Sequence, residues 1–232
     1  FACVRGSDLD RMEELDFDNI NAWLEGDVQE SQLAEPFDHQ EAAIKDSLEA
    51  LENGERATCV MACGTGKTLV GLWVAERLQA KKILVLLPSL QLVRQTLYEW
   101  LRHTSWPHPS FRCVCSDDTL TRSKNPQDQL LISQADVDFR INTKSEEVAD
   151  FLTGDGTDTR IVFSTYQSAG VIAEAMRPAD SFDLGIFDEA HKTAGRQGTK
   201  FSFALEDDNI LINKRLFMTA TPRLYNPSKR NK

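Results

Sequence analysis

The chain has no apolar run near the ~20 residues a helix needs to cross a bilayer. No secretory leader is expected either, because Phe1-Ala2-Cys3-Val4 is brief and charge follows at once. Its five cysteines are odd in number and show no framework spacing, which excludes a disulfide scaffold and predicts a reducing, cytoplasmic setting. Cys113 and Cys115, with His103 and His108 nearby, lack usual zinc-ligand spacing and read as buried thiols. No internal repeat is present. Positive charge is also scarce: the net charge is −10. That deficit is local, because residues 1–35 hold ten acids against Arg5 and Arg11 and carry −8. The other 197 residues hold 24 basic and 26 acidic groups. Global charge therefore says little for or against a nucleic-acid partner.

Residues 1–35 read as an acidic, solvated connector that docks through Phe17, Ile20 and Trp23, on this domain or elsewhere. From Phe37 the pattern turns helical, with Phe37, Ala43, Ile44, Leu48 and Leu51 near a 3.6-residue period and Gly54 as the stop. Strands are expected at 58–61, 83–87, 111–115, 161–164, 184–187 and 214–218. Helices are expected at 69–78, 91–101, 145–152 and 169–176. The rest of 116–158 reads as loop, and 226–232 as a tail. Strands alternating with helices predict an α/β fold, a mostly parallel sheet with helices on both faces. In such sheets ligands sit beyond the carboxyl ends of the strands.

The distinctive polar clusters all fall at such ends. After the run Thr58-Cys59-Val60 comes Ala62-Cys63-Gly64-Thr65-Gly66-Lys67-Thr68, a small-residue turn opening a helix. Amides of a turn like this can surround a phosphate, and the helix dipole adds positive potential. Lys67 is then placed against the β- and γ-phosphates, and the Thr68 hydroxyl on a Mg²⁺. Cys63, Gly64, Thr65 and Gly66 supply the cradle. A strict phosphate loop would carry Gly at the Met61 position. Asp188 follows a mostly apolar strand and is placed to hold Mg²⁺ through water, with Glu189 beside it to orient or deprotonate an attacking water. Gln40 can present its amide to an adenine edge, or simply start a helix.

In chain order, Ala62 to Thr68, Asp188-Glu189-Ala190-His191 and Thr219-Ala220-Thr221-Pro222 resemble motifs I, II and III of DEAH-type superfamily 2 helicases and translocases. That group accepts a non-Gly residue at the Met61 position. Leu87-Pro88-Ser89-Leu90 through Gln95-Thr96 resembles motif Ia. Ser164-Thr165-Tyr166-Gln167-Ser168 resembles the family's Thr-Tyr-Gln-Ser segment, and Phe37-Asp38-His39-Gln40 its glutamine motif. The resemblance covers about 36–225 and is most similar to motor subunits of type III, type I and single-chain restriction enzymes.

It implies a RecA-like P-loop domain that binds ATP and Mg²⁺ and is the first of two motor domains. The second, which would supply arginine fingers, lies outside this chain. So would any nuclease, because 1–35 shows no Asp…Glu-x-Lys constellation. The implied partner is DNA, double-stranded in a translocase, across a surface built from Ser89, Leu90, Gln91, Thr165, Tyr166 and Gln167. His191, Thr219 and Thr221 would couple that surface to the nucleotide. A strand-separating RNA or DNA helicase, and a nucleotide-binding regulatory module without motor activity, remain alternatives.

Overall fold

The computed structural model describes residues 33–115, 141–142, 144–153, 158–190 and 203–221. The connector before residue 33, the tail after 221, His191 and most of the expected 116–158 loop lie outside them. The chain divides into two units, Phe1–Ala34 and Glu35–Lys232. The second unit holds the sheet and its helices.

Among the described residues seven strands form one sheet: β1 Arg56–Val60, β2 Lys82–Leu87, β3 Ser110–Val114, β4 Ile141–Asn142, β5 Arg160–Thr165, β6 Phe182–Phe187 and β7 Ile212–Thr219. Their order across the sheet is β1-β7-β6-β2-β5-β3-β4, and every pairing is parallel. The helices are α1 Asp38–Asn53, α2 Lys67–Arg77, α3 Leu90–His103, α4 Ser145–Thr153 and α5 Ala169–Ala175. The expected α/β fold with a parallel sheet is what the chain builds. The short β4 falls within a stretch that reads as loop, since two residues are too few to carry a periodic signal.

Burial explains the apolar runs of the central strands, Ile83 to Leu87 in β2 and Ile161 to Phe163 in β5. Every residue of β5 is buried, as is every residue of β2 after Lys82. Since consecutive strand residues face opposite sides, both faces of the sheet are covered there. The edge strand β1 instead alternates exposed and buried positions. Gly71 of α2 allows close approach to the sheet: a Cβ added there would come 3.2 Å from Met218 Sδ. Trp100 of α3 fills the space between layers, its indole edge-on to Phe163 at 5.5 Å. On the surface Arg77 and Glu41 join α2 to α1 with two hydrogen bonds of 2.7 and 2.6 Å. That pair is solvent-exposed and contributes little to stability.

Arg215 in β7 is a charged residue with no exposure at all. Its guanidinium donates to Ile212 O at 2.8 Å, Ile210 O at 3.4 Å and the Asp207 carboxylate. It thereby ties the turn before β7 to the strand. Its Nε has no hydrogen-bond partner among the described residues. Replacing Arg215 by Ala removes these bonds and opens a cavity, and should lower stability by about 2–4 kcal/mol in urea unfolding. Arg215→Met, which keeps most of the volume, should lose less. An Arg215→Ala midpoint equal to the parent's would contradict this role.

Candidate nucleotide and nucleic-acid site

Parallel pairing brings the expected clusters to one edge of the sheet. Val60 pairs with Thr219, Phe217 with Phe187, Phe187 with Leu86, and Leu87 with Thr165. In spatial order the edge therefore carries the loop after β1, Thr219 and Thr221 after β7, Asp188-Glu189 after β6, Ser89 after β2, and Tyr166-Gln167 after β5. Thr219 and Thr221 stand between the loop and the acidic pair, an order that the linear sequence does not reveal.

The loop is built by two glycines in the left-handed region, Gly64 at φ +79° and Gly66 at +77°. Gly66 is the N-cap of α2, and its carbonyl receives the Leu69 and Val70 amides at 3.1 and 3.2 Å. Between the glycines the Thr65 hydroxyl donates to Ala62 O at 2.8 Å. Lys67 Nζ curls over the loop and donates to Ala62 O at 3.1 Å and Met61 O at 3.3 Å. Met61 in turn donates its amide to Thr219 O at 3.1 Å. Thr68 opens the helix, and its carbonyl accepts the Trp100 indole N–H at 3.0 Å, fixing α3 against the loop helix. Cys63 is exposed at the loop, while Cys59, Cys113 and Cys115 are buried free thiols. Burial raises the pKa of the Cys113 and Cys115 thiols, the latter to about 12.

Gln40 does more than start a helix. Its Oε1 accepts the Phe37 amide at 2.9 Å and its Nε2 donates to Thr65 O at 3.0 Å. Both ends of this amide are engaged inside the protein, and only 4% of the residue is exposed, so it braces the loop rather than standing open to a base edge. A Cβ at Gly66 would collide with Gln40 Nε2 and displace that brace, while the φ of +77° itself favours glycine here. Phe37, expected on the buried face of α1, is instead its N-cap and 69% exposed. Its ring stacks on His39 at 6.0 Å with planes 8° apart. Sequence periodicity missed this aromatic surface because Phe37 lies one residue outside the helix.

At the β6 end, Asp188 and Glu189 are half-buried. Asp188 donates its amide to Leu86 O at 3.0 Å, and Glu189 adopts a left-handed φ of +52°. Thr219 Oγ1 accepts the Thr221 amide and donates to the Thr221 carbonyl, each at 3.2 Å, closing a tight turn. Among the described residues no group of three or more His, Cys, Asp or Glu could hold a metal ion as a cage. The donors fit Mg²⁺ all the same, because it is commonly held by one or two protein oxygens with phosphates and water. The open space beside Gly64, where an added Cβ meets no atom within 4 Å, leaves room for a phosphate.

On the far side of the edge the expected contact surface divides. Ser89 is the N-cap of α3, its Oγ accepting the Leu92 amide at 3.4 Å, and Gln91 is exposed. Leu90, Thr165 and Tyr166 are buried. Thr165 Oγ1 is hydrogen-bonded to Ser168 Oγ at 2.9 Å, and Tyr166 donates to Asp188 O at 2.7 Å. The expectation that Leu90, Thr165 and Tyr166 offer side chains to a nucleic acid is thus at odds with their positions. They finish and pack the strand ends, and Gln167 remains partly exposed.

Among known proteins, the "ATP-dependent Type ISP restriction-modification enzyme LlaBIII bound to DNA" is similar in structure, with a TM-score of 0.69 and 32% identity. The match covers 86% of this chain and 14% of that one. A nuclease-deletion mutant of the Type ISP enzyme LlaGI, in complex with a DNA substrate mimic, gives a TM-score of 0.65 at 32% identity. It covers 86% of this chain and 19% of that one. The "Probable helicase A859L" of African swine fever virus (isolate Pig/Kenya/KEN-50/1950) is 30% identical over 197 residues. That is 82% of this chain and 20% of the relative, so the chain spans about a fifth of the curated relatives it matches. The family model described as "Type III restriction enzyme, res subunit" matches residues 33–224. The chain belongs to that restriction-enzyme res-subunit family, and its fold is the first RecA-like motor domain of a superfamily 2 helicase.

Proposed function

We propose that the chain is the ATP-binding half of a DNA-dependent motor, a translocase working within a restriction enzyme. The observation that carries this reading is the single row of strand ends, with the two-glycine loop and Lys67 at one end and exposed polar side chains at the other. The amides at the start of α2 and the Lys67 ammonium bind the β- and γ-phosphates. Lys67 turns to them from the Met61 and Ala62 carbonyls. Thr68 and Asp188 hold Mg²⁺, whose chemistry there is to neutralise phosphate charge and align the transferred group. Glu189 orients the attacking water and takes its proton. Gln40 serves nucleotide binding by bracing Thr65-Gly66, and the exposed Phe37–His39 pair offers a flat face to the base.

Nucleic acid lies over Ser89, Gln91 and Gln167, held through phosphate and sugar, which fixes position without reading sequence. DNA is favoured over RNA because LlaBIII and LlaGI, at 32% identity, were seen with DNA or its mimic, and double-stranded DNA is the track a translocase would use. Thr219 and Thr221 lie between the two halves and, with His191, relay nucleotide state. A second RecA-like domain completes the ATP site, and a nuclease lies elsewhere in the full protein. Strand separation is the second reading, favoured by the viral relative's description as a probable helicase. A displaced-strand assay on the full protein separates the two.

Two variants test the core of this reading. Lys67→Ala should abolish ATP binding in calorimetry while the fold persists. Glu189→Gln should keep ATP affinity within a few-fold while turnover falls about 10²–10⁴-fold, the usual contribution of a positioned base. Unchanged affinity in the first, or surviving turnover in the second, would remove the assignment.

The 232-residue chain alone should hydrolyse ATP slower than the full motor by about 10³–10⁵-fold, with or without DNA, because arginine fingers supply that much. Robust DNA-stimulated turnover by the chain alone would contradict the two-domain reading.

A further inference from the structure

β5 and β6 are not neighbours, since β2 lies between them. Yet the Tyr166 hydroxyl, at the end of β5, donates to the Asp188 carbonyl at the end of β6, 2.7 Å away. The bond crosses the end of β2 and joins the expected nucleic-acid side of the edge to the acidic pair. The tyrosine is 1% exposed, and its ring is held by neighbours. It lies tilted against Phe187 at 6.5 Å, and Phe187 stacks on Phe217 at 4.9 Å.

The accepting atom matters. The Asp188 carbonyl belongs to the peptide plane between Asp188 and Glu189, whose direction is shared between ψ of Asp188 and φ of Glu189, so holding it restricts both. That φ is +52°, in a region that L side chains other than Asn and Asp seldom enter. The preceding amide is held as well, since Asp188 N–H donates to Leu86 O at 3.0 Å. Asp188 is thus clamped on both sides, from β2 through its amide and from Tyr166 through its carbonyl. Tyr166 also begins the turn Tyr166–Ser168, whose middle residue Gln167 is partly exposed beside Ser89. The turn and the acidic pair are thus joined through one hydrogen bond.

We propose that Tyr166 is the positioning residue that aims Glu189, and that it transmits nucleic-acid engagement at the Gln167 turn to the hydrolytic site. This deepens the motor reading and rests on Glu189 acting on water. The test uses Tyr166→Phe in the complete protein, with Glu189→Gln measured in parallel. With DNA saturating, Tyr166→Phe should lower kcat at least tenfold while KM for ATP moves less than twofold. That split marks a loss felt in the transition state rather than in binding.

Hydrogen exchange, which needs no turnover, should show the Asp188 amide exchanging at least tenfold faster while amides within β5 keep their rates. Normal kcat and normal exchange in Tyr166→Phe, with Glu189→Gln inactive, would overturn the inference and leave the motor reading standing. A raised KM with unchanged kcat, or an equal acceleration throughout β5, would overturn it too, as the sign of a merely structural tyrosine. If Glu189→Gln kept its turnover, the underlying reading would fail instead, and the exchange rate alone would judge whether Tyr166 holds the turn.

Discussion

Parallel hydrogen bonding is the constraint on which everything else in this domain depends. A strand paired in parallel on both sides must enter and leave the sheet at the same ends as its neighbours, so the chain returns each time through a crossover. The return segments cover both faces, so β2 is apolar and buried after Lys82, and β5 buries even its polar residues Arg160, Ser164 and Thr165. All chemistry is thereby displaced to the loops at the carboxyl edge. Strand order then decides which loops meet. β7 enters between β1 and β6, which sets Thr219 beside both the phosphate loop and the acidic pair although it is far from each in sequence.

The loop itself is held by backbone geometry more than by side chains. Two left-handed glycines turn the chain so that the α2 N-terminus faces out of the sheet. Gln40 fastens the loop from one flank, and Trp100 fastens the first turn of α2 from the other. Gln40 belongs to the segment resembling the glutamine motif and reaches the phosphate loop directly, whereas Trp100 lies past the segment resembling motif Ia and holds the helix that the loop opens.

The fold was legible in the sequence because it rests on signals that sequence carries strongly: continuous apolar runs for buried parallel strands and punctuation by Gly and Pro between them. The row of polar clusters was legible for the same reason, since each follows such a run. What the sequence could not show was how polar residues are spent. Thr165 and Tyr166 look like surface hydroxyls until their partners, Ser168 and Asp188, are known. Gln40 looks like a free amide until Thr65 O is found against it. Arg215, inside the strand expected at 214–218, can be buried because the Ile210 and Ile212 carbonyls just before it receive its guanidinium. In each case the deciding partner is set by tertiary contact or turn geometry, which no local pattern encodes. Phe37 is a boundary error of one residue that moves an aromatic ring from core to surface.

The central claim is that the loop from Ala62 to Thr68 and the Asp188-Glu189 turn form one Mg–ATP site. A crystal structure of this chain with Mg²⁺ and a non-hydrolysable ATP analogue tests it most directly. The account predicts Lys67 Nζ released from the Met61 and Ala62 carbonyls onto phosphate oxygens, Thr68 Oγ1 on the metal, and Asp188 bonded to a metal-bound water. An analogue seated elsewhere, with Lys67 still on those carbonyls, would contradict it.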